Sequence, residues 1–456
     1  MEKYENLFLV NDKNEKLSYF QLNEIVEKIG KLIQARSLVV VLCDNSISAI
    51  AIYISCIENK IVPILVSKDI DNDFLKEICN EYHPNYIMKP CEDLESVAKI
   101  GHYSICMIND KNVSMNIELA LLLLTSGSVS SSKLVRISYE NIKENANQIT
   151  EYLPINRLSR PILALPMEYS YGLSIINTHY FARSTIFITN EKIYSGKFWD
   201  FFKKSRCDSF SGVPYAYEIL DKFKILRNGN FKYLKYITQA GGALSTEMQK
   251  KCYDFCKRNS ADLYIMYGQT EATARMTYLE PQYSNIKRGS VGKSVLTGKI
   301  SLIDENGEEI HTERQVGEIV FFGKNVCLGY ANKVDDLNKE NENNYILHTG
   351  DMGYFDNEKF IYITGRKKRI VKILGYRIEL DELEKLIGIK LHIKCAITSE
   401  NEKIYVFVEN ISEIDIVLVY LNEKMHFLCS IFEVRYTPYI PLSKNGKVQY
   451  SSLKIS

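Results

Sequence analysis

The sequence lacks an excess of charge of either sign. Its 456 residues include 57 Lys and Arg against 56 Asp and Glu, which gives a formal net charge of +1 at pH 7. So balanced a chain has no overall field to attract nucleic acid or an anionic membrane surface. With 46% hydrophobic and 25% charged residues, the composition is that of an ordinary soluble globular protein. We therefore expect no nucleic-acid partner.

A long hydrophobic run is also missing. The most apolar stretch, residues 47–57 (ISAIAIYISCI), falls short of the ~18 residues that a membrane span needs, so it predicts a buried helix. The first ten residues (MEKYENLFLV) carry acidic side chains where a secretion signal needs basic ones. We therefore expect no membrane span and a cytoplasmic location.

The eleven cysteines follow neither a metal-binding nor a disulfide spacing. Only Cys252 and Cys256 lie close together, and a C-x-x-x-C pair without a second cluster is a poor zinc signature. An odd number of cysteines without a framework of spacings predicts reduced thiols in a cytosolic compartment.

Helix and strand signals alternate along the first part of the chain. Apolar side chains in residues 22–33 recur on one helical face, and residues 37–43 (SLVVVLC) predict a buried parallel strand. The buried helix at 47–57 and a second strand at 61–66 follow, and the same rhythm returns over residues 161–268. Such alternation predicts parallel sheets covered by helices.

The second part of the chain has a different texture. An Asn306-Gly307 turn and residues 354–365 (YFDNEKFIYITG) predict the hairpins of a small antiparallel unit. The last part carries a helix and a strand of its own, enough for a small separate lid. We therefore predict an α/β fold. Residues 1–366 form a large domain of helix-covered, mostly parallel sheets with a small antiparallel β unit, and residues 367–456 form a small mobile α+β lid.

Five polar segments follow one another along the chain. They are TSGSVSSSK (125–133), YGQTEATAR (267–275), HTGDMGYFD (348–356), GRKKRIVKILGYRIELDELE (365–384) and PLSKNGKVQ (441–449). In order and spacing they resemble the signature segments of the adenylate-forming superfamily. That superfamily includes acyl- and aryl-CoA synthetases, adenylation domains of nonribosomal peptide synthetases, D-alanine–carrier-protein ligases and firefly luciferase. The resemblance covers nearly the whole chain.

The resemblance implies a two-step reaction with ATP and Mg²⁺ as cofactors. A carboxylate attacks the α-phosphate of ATP, which releases pyrophosphate and leaves an acyl-adenylate. A thiol then attacks the adenylate and gives a thioester and AMP. Because the first step brings two anions together, catalysis rests on positioning and charge neutralisation.

The first segment resembles the phosphate loop of the superfamily, T-S-G-[ST]-T-G-x-P-K-G. Ser130 and Ser132 stand where the pattern has Gly and Pro, so the backbone loses one permissive and one fixed conformation. A polar surface loop is the alternative interpretation. The residues that match the pattern, and that we expect to hold the β- and γ-phosphates, are Thr125, Ser126, Gly127, Ser128 and Lys133.

The second segment resembles the Y-G-x-T-E motif. By that resemblance Tyr267, with Gly268 after it, stacks on the adenine, whose other face meets the backbone of Gly242 and Ala243. Thr270 reaches the α-phosphate, and Glu271 is a ligand of Mg²⁺, a hard oxygen for a hard ion. The alternative for Thr270 and Glu271 is an ordinary helix N-terminus with a Thr cap.

The remaining segments supply the ribose contacts and the lid. The resemblance makes Asp351 and Arg366 the ribose ligands, Lys368 the hinge and Lys447 the catalytic lysine that bridges the carboxylate and the α-phosphate. The lid would close for adenylation and then rotate about Lys368 to admit the thiol. The alternative for the neighbouring cations is a solvated charged face. These cations are Lys367, Arg369 and Lys372.

The acyl pocket is expected between PMEYSYGLS (166–174) and YGQTEA (267–272). Amino-acid-activating relatives hold the substrate ammonium with an Asp in the first segment, where this chain has Glu168 and no Asp. This favours a small carboxylic acid without an α-amino group, although Glu168 keeps an amino-acid substrate open. Core packing is the alternative for the two tyrosines. The predicted pocket residues are Tyr169, Tyr171, Gly172 and Gly241.

The thiol acceptor stays open between coenzyme A and the phosphopantetheine of a separate acyl or peptidyl carrier protein. Because few residues follow Lys447, we expect any carrier to be a separate chain. A non-catalytic nucleotide-binding homologue is a further alternative, since the phosphate loop departs from the pattern.

Overall fold

The computed structural model describes residues 6–91, 96–124, 133–373, 376–400, 403–424, 431–443 and 446–453. The α-helices are α1 (Tyr19–Leu32), α2 (Ile47–Glu58), α3 (Asn72–Tyr82), α4 (Tyr139–Tyr152), α5 (Ser170–Phe181), α6 (Gly196–Lys204), α7 (Pro214–Lys222), α8 (Ile225–Asn228), α9 (Thr246–Arg258), α10 (Leu380–Leu391) and α11 (Glu413–Lys424).

The strands run through the whole described chain. They are β1 (Leu7–Asn11), β2 (Lys16–Ser18), β3 (Leu38–Cys43), β4 (Val62–Ser67), β5 (Tyr86–Lys89), β6 (Ala98–Ile100), β7 (Tyr103–Met107), β8 (Leu119–Leu124), β9 (Leu134–Ser138), β10 (Pro161–Leu163), β11 (Ile186–Ile188), β12 (Ser209–Gly212), β13 (Tyr236–Gln239), β14 (Asp262–Tyr267), β15 (Thr277–Leu279), β16 (Lys293–Ser294), β17 (Lys299–Ile303), β18 (Gly317–Phe322), β19 (Gly329–Ala331), β20 (Ile346–Phe355), β21 (Ile361–Arg366), β22 (Ile370–Ile373), β23 (Tyr376–Glu379), β24 (Cys395–Glu400), β25 (Lys403–Val408) and β26 (Phe432–Tyr436).

The first helices form where the apolar period predicts them. Ser18 begins α1 with a capping box, since its hydroxyl accepts the Gln21 backbone N–H and the Gln21 side chain accepts the N–H of Ser18. Leu22 and Ile29 are buried on one face of α1. Helix α2 begins at Ile47 and is buried over nearly all its length, which confirms the buried helix expected there.

Two large sheets form the first compact unit, which comprises Met1–Lys299 and Phe321–Leu347. One has nine strands in the order β16-β15-β14-β13-β12-β10-β11-β1-β2, and its centre from β14 to β1 is parallel. The other has eight strands in the order β19-β9-β8-β4-β3-β5-β7-β6, and β8, β4, β3 and β5 are parallel. A continuous apolar core that includes α1, α2 and α5 packs between these elements.

The second compact unit comprises Ile300–Val320 and His348–Ser456. Most of the four-stranded sheet β17-β18-β20-β21 belongs to it, and β20 pairs antiparallel with β21. Helices α10 and α11 pack on the three-stranded sheet β24-β25-β26. Gly307 has φ +85°, and a bridge between Ile303 and Glu309 closes the turn around it, as the sequence predicts.

The predicted fold class is confirmed, because parallel sheets covered by helices are combined with a smaller antiparallel sheet. The boundary that separates a moving lid at residue 367 stays a prediction. Within the described ranges, no helix has both the length and the hydropathy of a membrane-spanning segment.

Candidate active site

Three candidate segments follow strands at the parallel centre of the nine-stranded sheet. Residues 166–172 come after β10, Gly241 after β13 and Gly268 after β14, and β12, which lies between β10 and β13, is parallel to both. The carboxyl ends of parallel strands meet at one edge of a sheet, where open α/β sheets bind their ligands. The fold therefore collects these segments at a single edge.

Two glycines let the backbone approach closely at this edge. Gly241 has φ +85°, and a Cβ there would lie 2.5 Å from the Tyr169 hydroxyl. A Cβ on Gly268 would overlap the carbonyl oxygen of Ala274. Side chains are thus excluded where the loops after β13 and β14 begin.

Thr270 and Glu271 lie on a short 3₁₀-helix after β14, Thr270–Ala272. Gln269 precedes the helix, and no side chain caps it, so the interpretation of Thr270 as a helix cap is wrong. The Thr270 hydroxyl instead lies 3.3 Å from the hydroxyl of Ser170, the first residue of α5. Two buried hydroxyls thus meet at the sheet edge.

A tyrosine connects Glu271 with Lys133. The hydroxyl of Tyr330 donates to Oε1 of Glu271 over 2.8 Å, and the ammonium of Lys133 lies 3.5 Å from the centre of the Tyr330 ring. Tyr330 is on β19, which pairs with β9 directly after Lys133. Burial, and then the Glu271 carboxylate, raise the pKa of Tyr330, so its hydroxyl keeps the proton that it donates.

Most of the predicted phosphate loop lies outside the described residues, including Thr125, Ser126, Gly127 and Ser128. The strands on either side are described, since Leu124 ends β8 and pairs with Leu134 at the start of β9. Lys133 therefore stands at the described end of this hairpin, beside Tyr330.

The predicted acyl-pocket residues divide into two groups. Tyr171 is 2% exposed and belongs to the core, and its hydroxyl bonds with the carbonyl and hydroxyl oxygens of Thr238 at 2.9 and 2.7 Å. Tyr169 is half-buried and contacts the Tyr171 ring edge-on, and burial raises the pKa of Tyr169 to about 12. Of the predicted four, Tyr171 alone lines the narrow cavity behind this edge, as far as the described residues show.

In the second unit, Asp351 and Arg366 face one another across β20 and β21. Arg366 Nε lies 2.9 Å from Oδ1 of the buried Asp351, and the Arg366 backbone N–H donates to Asp381. The structure therefore brings the two predicted ribose ligands together as an ion pair. The side chain of the predicted hinge, Lys368, lies outside the described part of the chain.

Arg369 belongs to a buried network instead of a solvated charged face. Its guanidinium pairs with Asp381 and, at 2.6 Å, with Glu384. The ring of Tyr450 stacks on the guanidinium at 3.6 Å, and its hydroxyl donates to Glu384 over 2.9 Å. Lys367 pairs with Glu318, and the side chain of Lys372 is outside the described residues.

Lys447 lies in a tight turn three residues before Tyr450. Its N–H donates to the hydroxyl of Ser443, and its carbonyl oxygen accepts the N–H of Ser443 over 2.7 Å. Gly446 provides the positive φ, +75°, that this turn needs. The Tyr450 contacts thus fix the segment that carries the predicted catalytic lysine against α10.

Sequence reasoning missed two residues of the candidate site, Tyr330 on β19 of the eight-stranded sheet and Arg275 after β14 of the nine-stranded sheet. Tyr330 is one of 31 tyrosines and lies outside the five motif segments. Arg275 ends the segment YGQTEATAR, yet only its burial distinguishes it: it is 3% exposed, and its guanidinium lies 4.1 Å from the centre of the Tyr171 ring.

Comparison with known protein families gives one match over most of the chain. Residues 2–331 match the family described as AMP-binding enzyme. Oxalate–CoA ligase of Saccharomyces cerevisiae is 30% identical over 270 residues, which are 59% of this chain and 48% of that protein. D-alanine–D-alanyl carrier protein ligase of Listeria monocytogenes is 24% identical over 374 residues, 76% of this chain and 71% of that protein. The chain spans about half the length of the first curated relatives it matches.

Solved structures share the fold at low sequence identity. The o-succinylbenzoate CoA synthetase of Bacillus subtilis, in complex with its acyl-adenylate intermediate, superposes with a TM-score of 0.81 at 17% identity. That match covers 99% of this chain and 96% of the other. MatB of Rhodopseudomonas palustris with bound ATP gives a TM-score of 0.80 at 18% identity and covers 99% and 95%.

Proposed function

Since the chain belongs to the family of AMP-binding enzymes, we propose that it is an ATP-dependent carboxylic acid ligase. It forms an acyl-adenylate with release of pyrophosphate and then transfers the acyl group to a thiol. The observation that supports this most is the arrangement of Lys133, Tyr330 and Glu271, which holds a cation and a carboxylate beside the buried Thr270 hydroxyl.

These groups suit an anionic nucleotide with a divalent cation. Lys133 supplies positive charge, Thr270 supplies a hydroxyl for the α-phosphate, and Glu271 supplies a carboxylate oxygen for Mg²⁺. Among the described residues no three acidic, histidine or cysteine side chains are grouped to hold a metal. Glu271 would hold Mg²⁺ by a carboxylate oxygen, and the ion, when bound, would supply neutralisation of phosphate charge.

The rest of the nucleotide is assigned to the other predicted residues. Tyr267, at the end of β14, holds the adenine with the backbone of Gly242 and Ala243, and Asp351 and Arg366 hold the ribose. Lys447 stabilises the negative charge that develops between carboxylate and α-phosphate. Residues 367–456 act as the lid, and rotation at Lys368 exchanges the site between adenylation and thiol transfer.

The acid and the acceptor are proposed as classes. The acid is a small carboxylic acid without an α-amino group, and the acceptor is coenzyme A or the phosphopantetheine of a separate carrier protein. Both acceptors are represented among the relatives, as oxalate–CoA ligase and as D-alanine–D-alanyl carrier protein ligase. A cytoplasmic location is proposed because the ten cysteines that the structure describes are all free thiols.

Exchange of labelled pyrophosphate into ATP tests the proposed reaction. We expect exchange that depends on a carboxylic acid and on Mg²⁺, and that collapses in Glu271→Ala and in Lys447→Ala, because each substitution removes charge from the reaction centre. Tight ATP binding without exchange for any acid of a broad panel would instead support a non-catalytic nucleotide-binding protein.

A further inference from the structure

Arg275 is a buried cation without a carboxylate partner among the described residues. It is 3% exposed, and no ion pair within the described ranges includes it. Its Nη1 donates to the Ala274 carbonyl over 3.2 Å, its Nη2 donates to the Ser174 hydroxyl over 3.3 Å, and its Nε has no acceptor within the described part of the chain. The Tyr152 hydroxyl is a further polar neighbour of the guanidinium. Stacking on Tyr171 compensates only part of the cost of removing a guanidinium from water.

Two other arginines of the described chain, one fully buried and one half-buried, are paired differently. Arg136 is fully buried, and its guanidinium meets Glu342 at 2.6 Å together with three backbone carbonyl groups. Arg369 pairs with both Asp381 and Glu384. Of the two arginines that are fully buried within the described residues, Arg136 thus has a carboxylate partner and Arg275 has none.

The Asn325 side chain fixes the backbone of Arg275 by a hydrogen bond. The Arg275 carbonyl oxygen accepts Nδ2 of Asn325 over 2.8 Å, and the same amide group donates to the Ala272 carbonyl over 2.8 Å. The Thr273 hydroxyl donates to the carbonyl of Asn325 over 2.7 Å. These bonds fix the backbone of the loop that carries Glu271 and Arg275. The point from which the Arg275 side chain extends is therefore fixed before a ligand binds.

Arg275 lines a narrow cavity between the nine-stranded sheet and helices α4 and α5. Its volume of about 20 Å³ is enough for about one water molecule, so it takes the polar tip of a ligand and not a long acyl chain. The described lining contains hydroxyl groups but neither Asp nor Glu. His179 also lines it, and burial lowers the pKa of His179 to about 3, so the imidazole is neutral at pH 7.

The guanidinium lies about one helical turn from the predicted reaction centre. The Thr270 hydroxyl lies 3.3 Å from the Ser170 hydroxyl, and Nη2 of Arg275 lies 3.3 Å from the Ser174 hydroxyl. Ser170 and Ser174 are one turn apart on α5, about 6 Å along the helix axis. An extended chain advances about 1.25 Å for each C–C bond of about 1.5 Å, so four such bonds span about 5 Å between two carboxyl carbons, and the carboxylate oxygens cover the rest of the separation.

We propose that Arg275 is the specificity-determining residue that binds a second carboxylate of the substrate, so that the acid is a compact dicarboxylic acid of about five carbons. This rests on the proposed ligase function and adds the class of acid. The distal carboxylate of the substrate forms the ion pair with Arg275 and accepts its Nε–H. The other carboxylate reacts near Thr270. A monocarboxylic acid of equal length leaves the guanidinium unpaired and is rejected.

Pairs of acids of equal chain length distinguish a preference for dicarboxylic acids from a preference for monocarboxylic acids. Pyrophosphate exchange is measured with glutarate against pentanoate, succinate against butanoate, and 4-oxopentanoate as a neutral acceptor of similar length. We expect kcat/KM of the wild-type protein to favour each diacid over its monoacid by roughly 30-fold or more, the effect of leaving a buried charge unpaired. Arg275→Met, of similar length and uncharged, abolishes that ratio, and Arg275→Lys retains part of it.

A second readout is independent of turnover. In the presence of ATP and Mg²⁺, glutarate should raise the melting temperature of the wild-type protein and not that of Arg275→Met, because only a bound ligand stabilises the fold. Arg136→Met is the matched control. It removes a buried guanidinium that does not line the cavity and should lower the melting temperature without changing the ratio between diacid and monoacid.

Each outcome decides between the alternatives. A wild-type protein that uses monoacids or 4-oxopentanoate as well as diacids, or an unchanged ratio in Arg275→Met, would overturn the assignment and make Arg275 a structural residue. Exchange with monoacids alone would contradict the role proposed for Arg275 and would still support the ligase function. Absence of exchange with every acid would contradict the ligase function, and the melting experiment would then decide separately whether Arg275 binds a diacid.

Discussion

The contact between Tyr330 and Glu271 gives the sharpest prediction for the catalytic centre. Tyr330→Phe removes the hydroxyl that donates to Glu271 over 2.8 Å and keeps the ring beneath the Lys133 ammonium, 3.5 Å from its centre. The carboxylate of Glu271 thereby loses the group that orients one of its oxygens. Under the proposed function Glu271 binds Mg²⁺, so the loss of this orienting contact should lower the affinity for Mg²⁺.

The magnitude follows from the kind of hydrogen bond. A hydrogen bond to a charged group contributes about 1.5–3 kcal/mol. Glu271 is half-buried, so water replaces part of the lost bond, and we take the lower end of that range. About 1.5 kcal/mol corresponds to roughly a tenfold change in an equilibrium constant. The Mg²⁺ concentration that gives half-maximal pyrophosphate exchange should therefore rise roughly tenfold.

The chain contains a matched control. Tyr345 also donates its hydroxyl to a glutamate, Glu140 over 3.2 Å, but Tyr345 is 44% exposed. Tyr345→Phe should leave the Mg²⁺ dependence unchanged, because surface contacts of this kind contribute little. The same Mg²⁺ curve for Tyr330→Phe, Tyr345→Phe and the wild-type protein would refute the role given to Tyr330.

Three further predictions concern other parts of the chain. Lys447→Ala should lower acid-dependent exchange by roughly 10²–10³-fold with ATP affinity less affected, measured by exchange and by calorimetry, and equal losses in both would refute its role in the transition state. Gly241→Ala should lower the free energy of unfolding by about 1–3 kcal/mol, measured by thermal melts, and by more than Gly307→Ala does. Gly241 and Gly307 both have φ +85°, but only a Cβ at Gly241 would meet Tyr169, while a Cβ at Gly307 meets open space. Equal destabilisation by the two substitutions would rule out the contact with Tyr169. Tyr450→Phe should destabilise the second unit by about 0.5–1.5 kcal/mol, since it removes the hydroxyl bonded to Glu384 and keeps the ring stacked on Arg369; an unchanged urea midpoint would contradict this.

Local patterns in the sequence predict much of the fold. The apolar period of residues 22–33 and the uniform apolar run of 47–57 correspond to α1 and α2. Both helices are predictable because the spacing of apolar residues along a short segment indicates a helix and its buried face. The motif segments after β13 and β14 meet at one edge because parallel strands place their carboxyl ends together. The side-chain contacts at that edge follow from tertiary packing, which no local pattern records.

Tyr330 and Arg275 illustrate this limit of sequence reasoning. Tyr330 meets Glu271 across 59 residues of chain, and only the pairing of β19 with β9 places it beside Lys133. Arg275 ends the segment YGQTEATAR, but its role depends on its burial against Tyr171 and on the lack of a carboxylate partner among the described residues. Charge that is buried without a partner becomes visible only when the packing around it is known.

Hydroxylamine trapping tests the central claim most directly. The wild-type protein is incubated with ATP, Mg²⁺, hydroxylamine and a panel of carboxylic acids, and hydroxamate formation reports the activated acyl group. The proposed function predicts a hydroxamate from at least one small acid, dependent on ATP and on Mg²⁺ and lost in Glu271→Ala. No hydroxamate from any acid of the panel, from protein that binds ATP tightly, would contradict it.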